Sequence, residues 1–253
     1  MSNIEYSFFI TSFAGLSTLI GALLIFFKFK NTDRVVSASL AFASGVMLTV
    51  SITDLIPSSI RGLLKIYYLF PTILIELIFI ILGIVISTLI NKYIPDISSK
   101  EISNKGLFKV GLISMIAIIL HNVPEGIATF MTSTKDIQLG LSLALAITLH
   151  NIPEGISISV PIYYSTKSKI KAFLYTFLSG ISEPIGAVIA YLFLAPYMND
   201  TIMSILLSII AGIMISISMY ELIPASLKYN DTKRTTKYFL IGSVFMLICH
   251  LFV

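Results

Sequence analysis

The sequence predicts an all-α membrane protein with eight transmembrane helices. Of its 253 residues, 56% are hydrophobic and 12% are charged, whereas about 25% are charged in an average soluble domain. Eight apolar runs each approach the roughly 20 residues needed to cross a bilayer. We predict spans at 6–27, 35–58, 69–90, 108–132, 137–161, 170–195, 202–226 and 235–253. We expect residues 1–253 to form a single transmembrane domain.

The distribution of basic residues predicts the orientation. Lysine and arginine are enriched in the cytoplasmic loops of membrane proteins. Here they gather in the connections after the first, third, fifth and seventh runs, and only Arg61, Lys65 and Lys135 lie elsewhere. We therefore expect a multi-pass protein of the cell (inner) membrane with both termini outside the cytoplasm. The net charge of +4 follows this topology, so it does not indicate a nucleic-acid partner.

Two copies of one polar phrase lie in the middle of apolar runs. His-Asn-Val-Pro-Glu-Gly occupies residues 121–126, and His-Asn-Ile-Pro-Glu-Gly occupies residues 150–155. Residues three or four apart share a helix face. The histidine, asparagine and glutamate of each copy therefore project together. Ionisable groups within hydrocarbon are functional by default, so the phrases predict a divalent-metal site inside the membrane. Its candidate ligands are His121, Asn122, Glu125, His150, Asn151 and Glu154.

Other acidic residues also lie within the predicted spans, where no lysine or arginine lies deep enough to pair with them. Buried charges must be paired or must coordinate a cation. Glu183, in the middle of the sixth run, is a further candidate ligand. Asp54, near the outer end of the second run, and Glu221, near the inner end of the seventh, are candidates for a pathway through the site. We expect Glu76 to be structural or interfacial and His250 to be incidental.

A second repeat predicts the arrangement of the helices. Residues 45–57 match residues 212–224 position by position. The copies lie in the second and seventh runs, which cross the membrane in opposite directions. Inverted repeats are a signature of secondary transporters. We therefore expect a 3+2+3 inverted-repeat arrangement, in which runs 1–3 and 6–8 are inverted copies around the central fourth and fifth runs.

Together these motifs resemble the ZIP family of divalent-metal transporters, in particular its bacterial ZupT-type branch. The resemblance implies uptake toward the cytoplasm through a two-metal site at the membrane midplane. It implies one position formed by His121, Glu125, His150 and Glu154. It implies a second position, bridged by the two glutamates, formed by Asn122, Glu125, Asn151, Glu154 and Glu183. Many eukaryotic members carry a histidine-rich loop after the third helix, but residues 91–107 contain no histidine.

The ligand types indicate which metal is transported. Imidazole suits zinc and iron, and carboxylate suits harder ions. Zn2+ and Fe2+ fit this set best as transported substrates, with Mn2+ and Cd2+ as further candidates. Cys249 is the one cysteine, so the chain has neither an internal disulfide nor a thiolate cluster. Besides the metal ion and the lipid bilayer, a second copy in a homodimer is a plausible partner.

Three other functions compete with metal transport. A proton- or cation-coupled carrier of an organic solute could use these groups as a proton relay, but it would not need two matched His/Glu pairs. An intramembrane metalloprotease would carry His-Glu-x-x-His with a glutamate as general base. Here Asn122 and Asn151 follow the histidines, so we expect no enzyme. A metal sensor without transport would need an output domain, for which the chain leaves little length.

Overall fold

The chain forms long α-helices in a computed structural model that describes residues 2–93, 102–194, 197 and 199–250, and these residues include no strand. The eight helices are α1 (Asn3–Phe26), α2 (Thr32–Leu64), α3 (Leu69–Tyr93), α4 (Lys105–Lys135), α5 (Ile137–Thr166), α6 (Lys169–Phe193), α7 (Asp200–Leu227) and α8 (Thr232–Cys249). The first seven are long and apolar enough to cross a membrane. The prediction of an all-α, multi-pass membrane protein is confirmed.

The eighth helix has 18 residues, with Lys233, Arg234 and Lys237 in its first two turns. It is the least apolar of the eight helices. The ends of the sixth and eighth predicted spans, at residues 195 and 251–253, lie outside the described residues. Residues 94–101, in the connection between α3 and α4, also lie outside the described residues.

Most helices begin earlier than the apolar runs because polar residues cap them. An N-cap side chain accepts a hydrogen bond from a first-turn N–H group that has no partner within the helix. Seven of the helices begin in this way, at Ser2, Asn31, Asn104, Asp136, Ser168, Asn199 and Asp231. The caps lie outside the apolar runs, so a search for hydrophobic stretches alone places the helix starts too late.

Two helices contain a π-helical turn at matching positions. The turns span Ser51–Leu55 in α2 and Ser218–Leu222 in α7, and in the sequence an isoleucine and a proline follow each one. Pro57 and Pro224 have no N–H for the usual bond and crowd the carbonyl four residues earlier. A wider turn accommodates the proline within a continuous helix. The two turns occupy the same positions in the two copies of the sequence repeat.

Helices α2 and α8 cross at backbone contact, and so do α7 and α3. A Cβ atom added to Gly45 in α2 would lie 2.1 Å from the carbonyl oxygen of Phe239 in α8. A Cβ atom added to Gly212 in α7 would lie 2.1 Å from the carbonyl oxygen of Ile80 in α3. Only glycine permits such an approach, as is common where membrane helices pack.

Helices α4 and α5 pack against α6 and α1 through the glycines of the two repeated phrases. A Cβ atom at Gly126 would lie 1.9 Å from the carbonyl oxygen of Glu183 in α6, and one at Gly155 would lie 1.9 Å from that of Thr18 in α1. Glycine at these two positions thus lets a neighbouring helix approach to backbone contact. This approach brings α1, α4, α5 and α6 together around the two phrases.

Candidate metal centre

The histidines and glutamates of the two phrases meet in a buried cluster between α4 and α5. His121 Nε2 lies 3.3 Å from Glu125 Oε2 and 3.3 Å from Glu154 Oε1. His150 Nε2 lies 3.0 Å from Glu125 Oε1. All four residues are at most 4% exposed. Ligand atoms of His121, His150 and Glu154 lie within 4.8 Å of one another, close enough to hold one metal ion.

The two asparagines are fixed by backbone carbonyls of the flanking helices. Asn151 Nδ2 donates to the carbonyl of Ala14 in α1 at 2.9 Å. Asn122 Nδ2 donates to the carbonyl of Ser179 in α6 at 3.3 Å. Because the amide hydrogens are used in this way, Oδ1 of each residue remains as a free acceptor within the protein interior. Oxygen atoms of this kind are ligands for divalent cations.

Glu183 joins the cluster from α6. Its side chain is fully buried, and Oε2 accepts a hydrogen bond of 2.9 Å from Asn151 Nδ2. The contact between Gly126 and the Glu183 carbonyl holds this part of α6 directly against α4. The structure therefore brings together all three helices on which candidate ligands were predicted.

Many of the polar atoms in the cluster lack a hydrogen-bond partner in the part of the chain that the structure describes. Nine buried polar side-chain atoms of the seven candidate ligands have no hydrogen-bond partner among the described residues. They are His121 Nδ1 and Nε2, Asn122 Oδ1, Glu125 Oε2, His150 Nδ1, Asn151 Oδ1, Glu154 Oε1 and Oε2, and Glu183 Oε1. Burying a polar atom without a partner costs about 1–3 kcal/mol. A bound cation would satisfy many of these atoms at once, and the donor set of imidazole nitrogen with carboxylate and amide oxygen fits a divalent transition metal.

A cavity of about 420 Å³ leads from the cluster toward one end of the bundle. Glu125 and His150 line it from within, and Asp54 and Ser58 of α2 line it further along. Glu221, the other predicted pathway residue, is near the opposite end of the bundle. There its Oε1 accepts a hydrogen bond from Asn91 Nδ2 of α3.

The sequence also matches known proteins over this whole region. A family model described as ZIP Zinc transporter matches residues 98–250, a range that contains both phrases and Glu183. The chain belongs to the ZIP family. A protein named Zinc transporter ZupT from Clostridium perfringens (strain 13 / Type A) is 38% identical, and the match covers 98% of this chain and 96% of that protein.

Two further ZIP relatives carry the same name. The one from Campylobacter jejuni subsp. jejuni serotype O:2 is 39% identical over 93% of this chain and 91% of its own length. The one from Streptococcus mutans serotype c is 40% identical over 88% of each chain. The family resemblance drawn from the sequence is confirmed. The relatives are named as transporters, so the comparisons give no support to a carrier of organic solutes and point away from an enzyme.

In this ZIP chain His250, which was expected to be incidental, contacts the predicted pathway residue Asp54. His250 Nε2 is hydrogen-bonded to Asp54 Oδ2, and its Nδ1 lies 3.3 Å from Thr53 Oγ1. The sequence contains a signal for this contact. His250 follows Gly242 at the same interval as Asn91 follows Gly83. An alignment of α3 with α8 therefore pairs His250 with Asn91, which contacts Glu221, the other predicted pathway residue.

Glu76 has the structural role expected of it. It is 4% exposed, and its Oε2 lies 2.9 Å from the hydroxyl of Ser208 in α7 and also contacts the hydroxyl of Ser59 in α2. The carboxyl group thus links α2, α3 and α7 away from the cluster of candidate ligands. Its place in the helix packing makes it a suitable reference for variants of the site.

Proposed function

We propose that the chain takes up zinc across the cell membrane into the cytoplasm, through a site of two metal ions held between α4, α5 and α6. The observation that carries this proposal is the buried cluster in the middle of α4, α5 and α6, in which nine nitrogen and oxygen atoms have no hydrogen-bond partner among the described residues. Family membership supports the same function, because the relatives are named as zinc transporters.

Seven residues share the two metal positions in this proposal. The first position is formed by His121, Glu125, His150 and Glu154, and the second by Asn122, Glu125, Asn151, Glu154 and Glu183. Each of the two central glutamates offers one carboxylate oxygen to each ion, so the glutamates bridge the positions. A transported ion must also leave, and shared ligands release a metal more easily than the closed four-ligand sites of structural zinc.

Zinc is the proposed substrate, and Fe2+, Mn2+ and Cd2+ are candidate competitors. Two imidazoles favour zinc or iron over magnesium, which prefers oxygen ligands and retained water. Cys249, the one cysteine, lies in α8 and contributes to the packed core around α2 and α7. No thiolate therefore competes for the ion at the proposed site, and a dedicated Cu(I) function is disfavoured.

We also infer a 3+2+3 arrangement with inverted repeats. Gly45 and Gly212 are equivalent positions of the sequence repeat, and they make equivalent backbone contacts with Phe239 and Ile80. Thus α2 meets α8 as α7 meets α3. This exchange between the halves is the relation expected of two inverted copies.

The central helices support the same relation. Asn151 donates to Ala14 of α1 as Asn122 donates to Ser179 of α6. Thr18 and Glu183 occupy equivalent positions beside Gly155 and Gly126. The two halves therefore offer nearly equal scaffolds, and Glu183 is an acidic ligand that only the second half supplies.

The basic connections support an orientation with both termini outside the cytoplasm. Most of the lysines and arginines flank one end of the bundle, after α1, α3, α5 and α7, as the positive-inside rule requires of the cytoplasmic end. In the bilayer, exposed apolar side chains of α3 such as Leu77, Ile78 and Ile81 would contact lipid. A homodimer remains a prediction.

Uptake of zinc-65 by proteoliposomes tests the proposed function. Wild-type protein should accumulate the isotope, and Glu125→Ala, Glu154→Ala and His150→Ala should each abolish accumulation. Glu76→Gln provides a matched control, because it neutralises another buried glutamate that lies outside the site. If wild-type protein moves neither zinc-65 nor iron-55 under any imposed gradient, the transport proposal fails.

A further inference from the structure

His250 and Asp54 form a pair of metal-binding side chains outside the central site. Asp54 lies in the π-helical turn of α2, and His250 directly follows α8. Imidazole Nε2 contacts carboxylate Oδ2. The His250 side chain is 22% exposed and that of Asp54 is 41% exposed, so solvent ions can reach both. The pair is thus more open than the central cluster.

The pair is connected to the central site by the cavity described above. Asp54 lines that cavity near its outer part, while Glu125 and His150 line its inner part. Ser58 lies one helical turn beyond Asp54, on the same face of α2, and also lines the cavity. An ion bound at Asp54 therefore has a direct route to the central ligands.

A related pair of different composition lies at the opposite end. Glu221 is the counterpart of Asp54 in the sequence repeat, and Asn91 contacts Glu221 just as His250 contacts Asp54. At this end, however, an amide replaces the imidazole, and the positive charges of Lys109 and Lys228 act on the glutamate carboxylate. We expect such a pair to bind a cation weakly.

We propose that His250 Nε2 and Asp54 form a capture site that binds a divalent transition-metal ion before it enters the central site. The proposal rests on the proposed uptake function and deepens it. Nitrogen and carboxylate ligands favour zinc or iron over magnesium and calcium, so the pair would select the ion at the outer mouth. The Glu221–Asn91 pair lacks the imidazole and would let the ion leave toward the cytoplasm.

The geometry suits transient binding. A tetrahedral zinc ion with ligand bonds of about 2.0 Å separates two of its ligand atoms by about 3.3 Å, so the hydrogen-bonded pair must open slightly to admit the ion. Two protein ligands leave the remaining coordination positions to water. An ion held by only two protein ligands dissociates readily. It can then move to the central site, which offers more protein ligands.

Zinc-65 equilibrium dialysis of Glu125→Ala/Glu154→Ala protein tests the capture site without requiring transport. With the bridging glutamates removed, we expect one weakly bound zinc ion per chain at the outer pair. Adding His250→Gln should lower that residual affinity by about tenfold or more, since one of only two protein ligands is lost. Glutamine still donates a hydrogen bond to Asp54. Residual binding that His250→Gln leaves unchanged, or no residual binding, would overturn the proposal.

Transport by the otherwise native chain provides a second test. His250→Gln should raise the zinc concentration for half-maximal uptake severalfold while leaving the maximal rate nearly unchanged. Ser243→Ala, in the same helix, should change neither value. If His250→Gln transports with the wild-type concentration dependence, His250 serves only as a hydrogen-bond partner and the capture site is rejected. If wild-type protein transports no zinc, the proposed function fails, and dialysis still decides whether the outer pair binds metal.

Discussion

At the scale of single residues, the two asparagines explain how uncharged side chains become candidate ligands. Their amide hydrogens are held by the carbonyls of Ala14 and Ser179, so each carbonyl oxygen stays free within the cluster. Helical spacing predicted that Asn122 shares a helix face with His121 and Glu125. It could not predict which backbone groups would orient the amides, because those groups belong to helices that are distant in the sequence.

Glu183 gives a prediction at this scale. Glu183→Gln keeps the shape of the side chain but removes its charge, so the second metal position should lose its affinity while the first remains. We expect the zinc content of the protein to fall from two ions per chain to one, measured by equilibrium dialysis and elemental analysis. Glu76→Gln, which also neutralises a buried glutamate, should still bind two. An unchanged stoichiometry in Glu183→Gln would remove Glu183 from the site.

At the scale of helices, glycines determine how closely the helices around the site approach one another. A Cβ atom at Gly186 in α6 would lie 2.1 Å from the carbonyl oxygen of Val123 in α4. Gly126 and Gly155 make contacts of the same kind, and their place in the repeated phrases marks them in the sequence. The partner helix of Gly186 could not be inferred, since one apolar helix face resembles another in sequence. The π-helical turns were also missed, although Pro57 and Pro224 follow them closely.

Gly186→Ala should therefore disturb both stability and the site. The added methyl group must push α6 away from α4, and overpacking of this kind costs about 1–3 kcal/mol. We expect a lower melting temperature in detergent and a weaker affinity for zinc, because Glu183 moves away with α6. Gly106→Ala is the matched control, since its Cβ would meet only Asn104 Oδ1 at 3.7 Å. Equal melting temperatures for the two variants would contradict this packing.

At the scale of the whole molecule, the distribution of charge predicts the orientation, and the sequence repeat predicts the arrangement of the helices. Eight helices and their approximate bounds follow from hydropathy, and the family follows from the paired phrases. The exchange in which α2 meets α8 and α7 meets α3 was not predicted. It depends on the contacts of Gly45 with Phe239 and of Gly212 with Ile80. The sequences around Phe239 and Ile80 are not similar enough to identify these two partners as equivalent.

Labelling of single cysteines tests the orientation in intact cells. With Cys249 replaced by alanine, Ser2→Cys should react with a membrane-impermeant maleimide from outside. Lys30→Cys, at the other end of α1, should react only after the cells are permeabilised, because that end is rich in basic residues and is proposed to face the cytoplasm. Both positions are exposed in the structure. The reverse pattern of labelling would contradict the orientation derived from the basic connections.

Zinc K-edge X-ray absorption of the zinc-loaded protein tests the central claim most directly, namely that two zinc ions share the ligands of α4, α5 and α6. We predict a first shell of nitrogen and oxygen at about 2.0–2.1 Å, with outer-shell scattering from imidazole. A second zinc ion should appear at about 3.5–4 Å, and Glu183→Gln should remove it. A sulfur shell at about 2.3 Å, or a shell of water oxygens without imidazole, would contradict the proposed site.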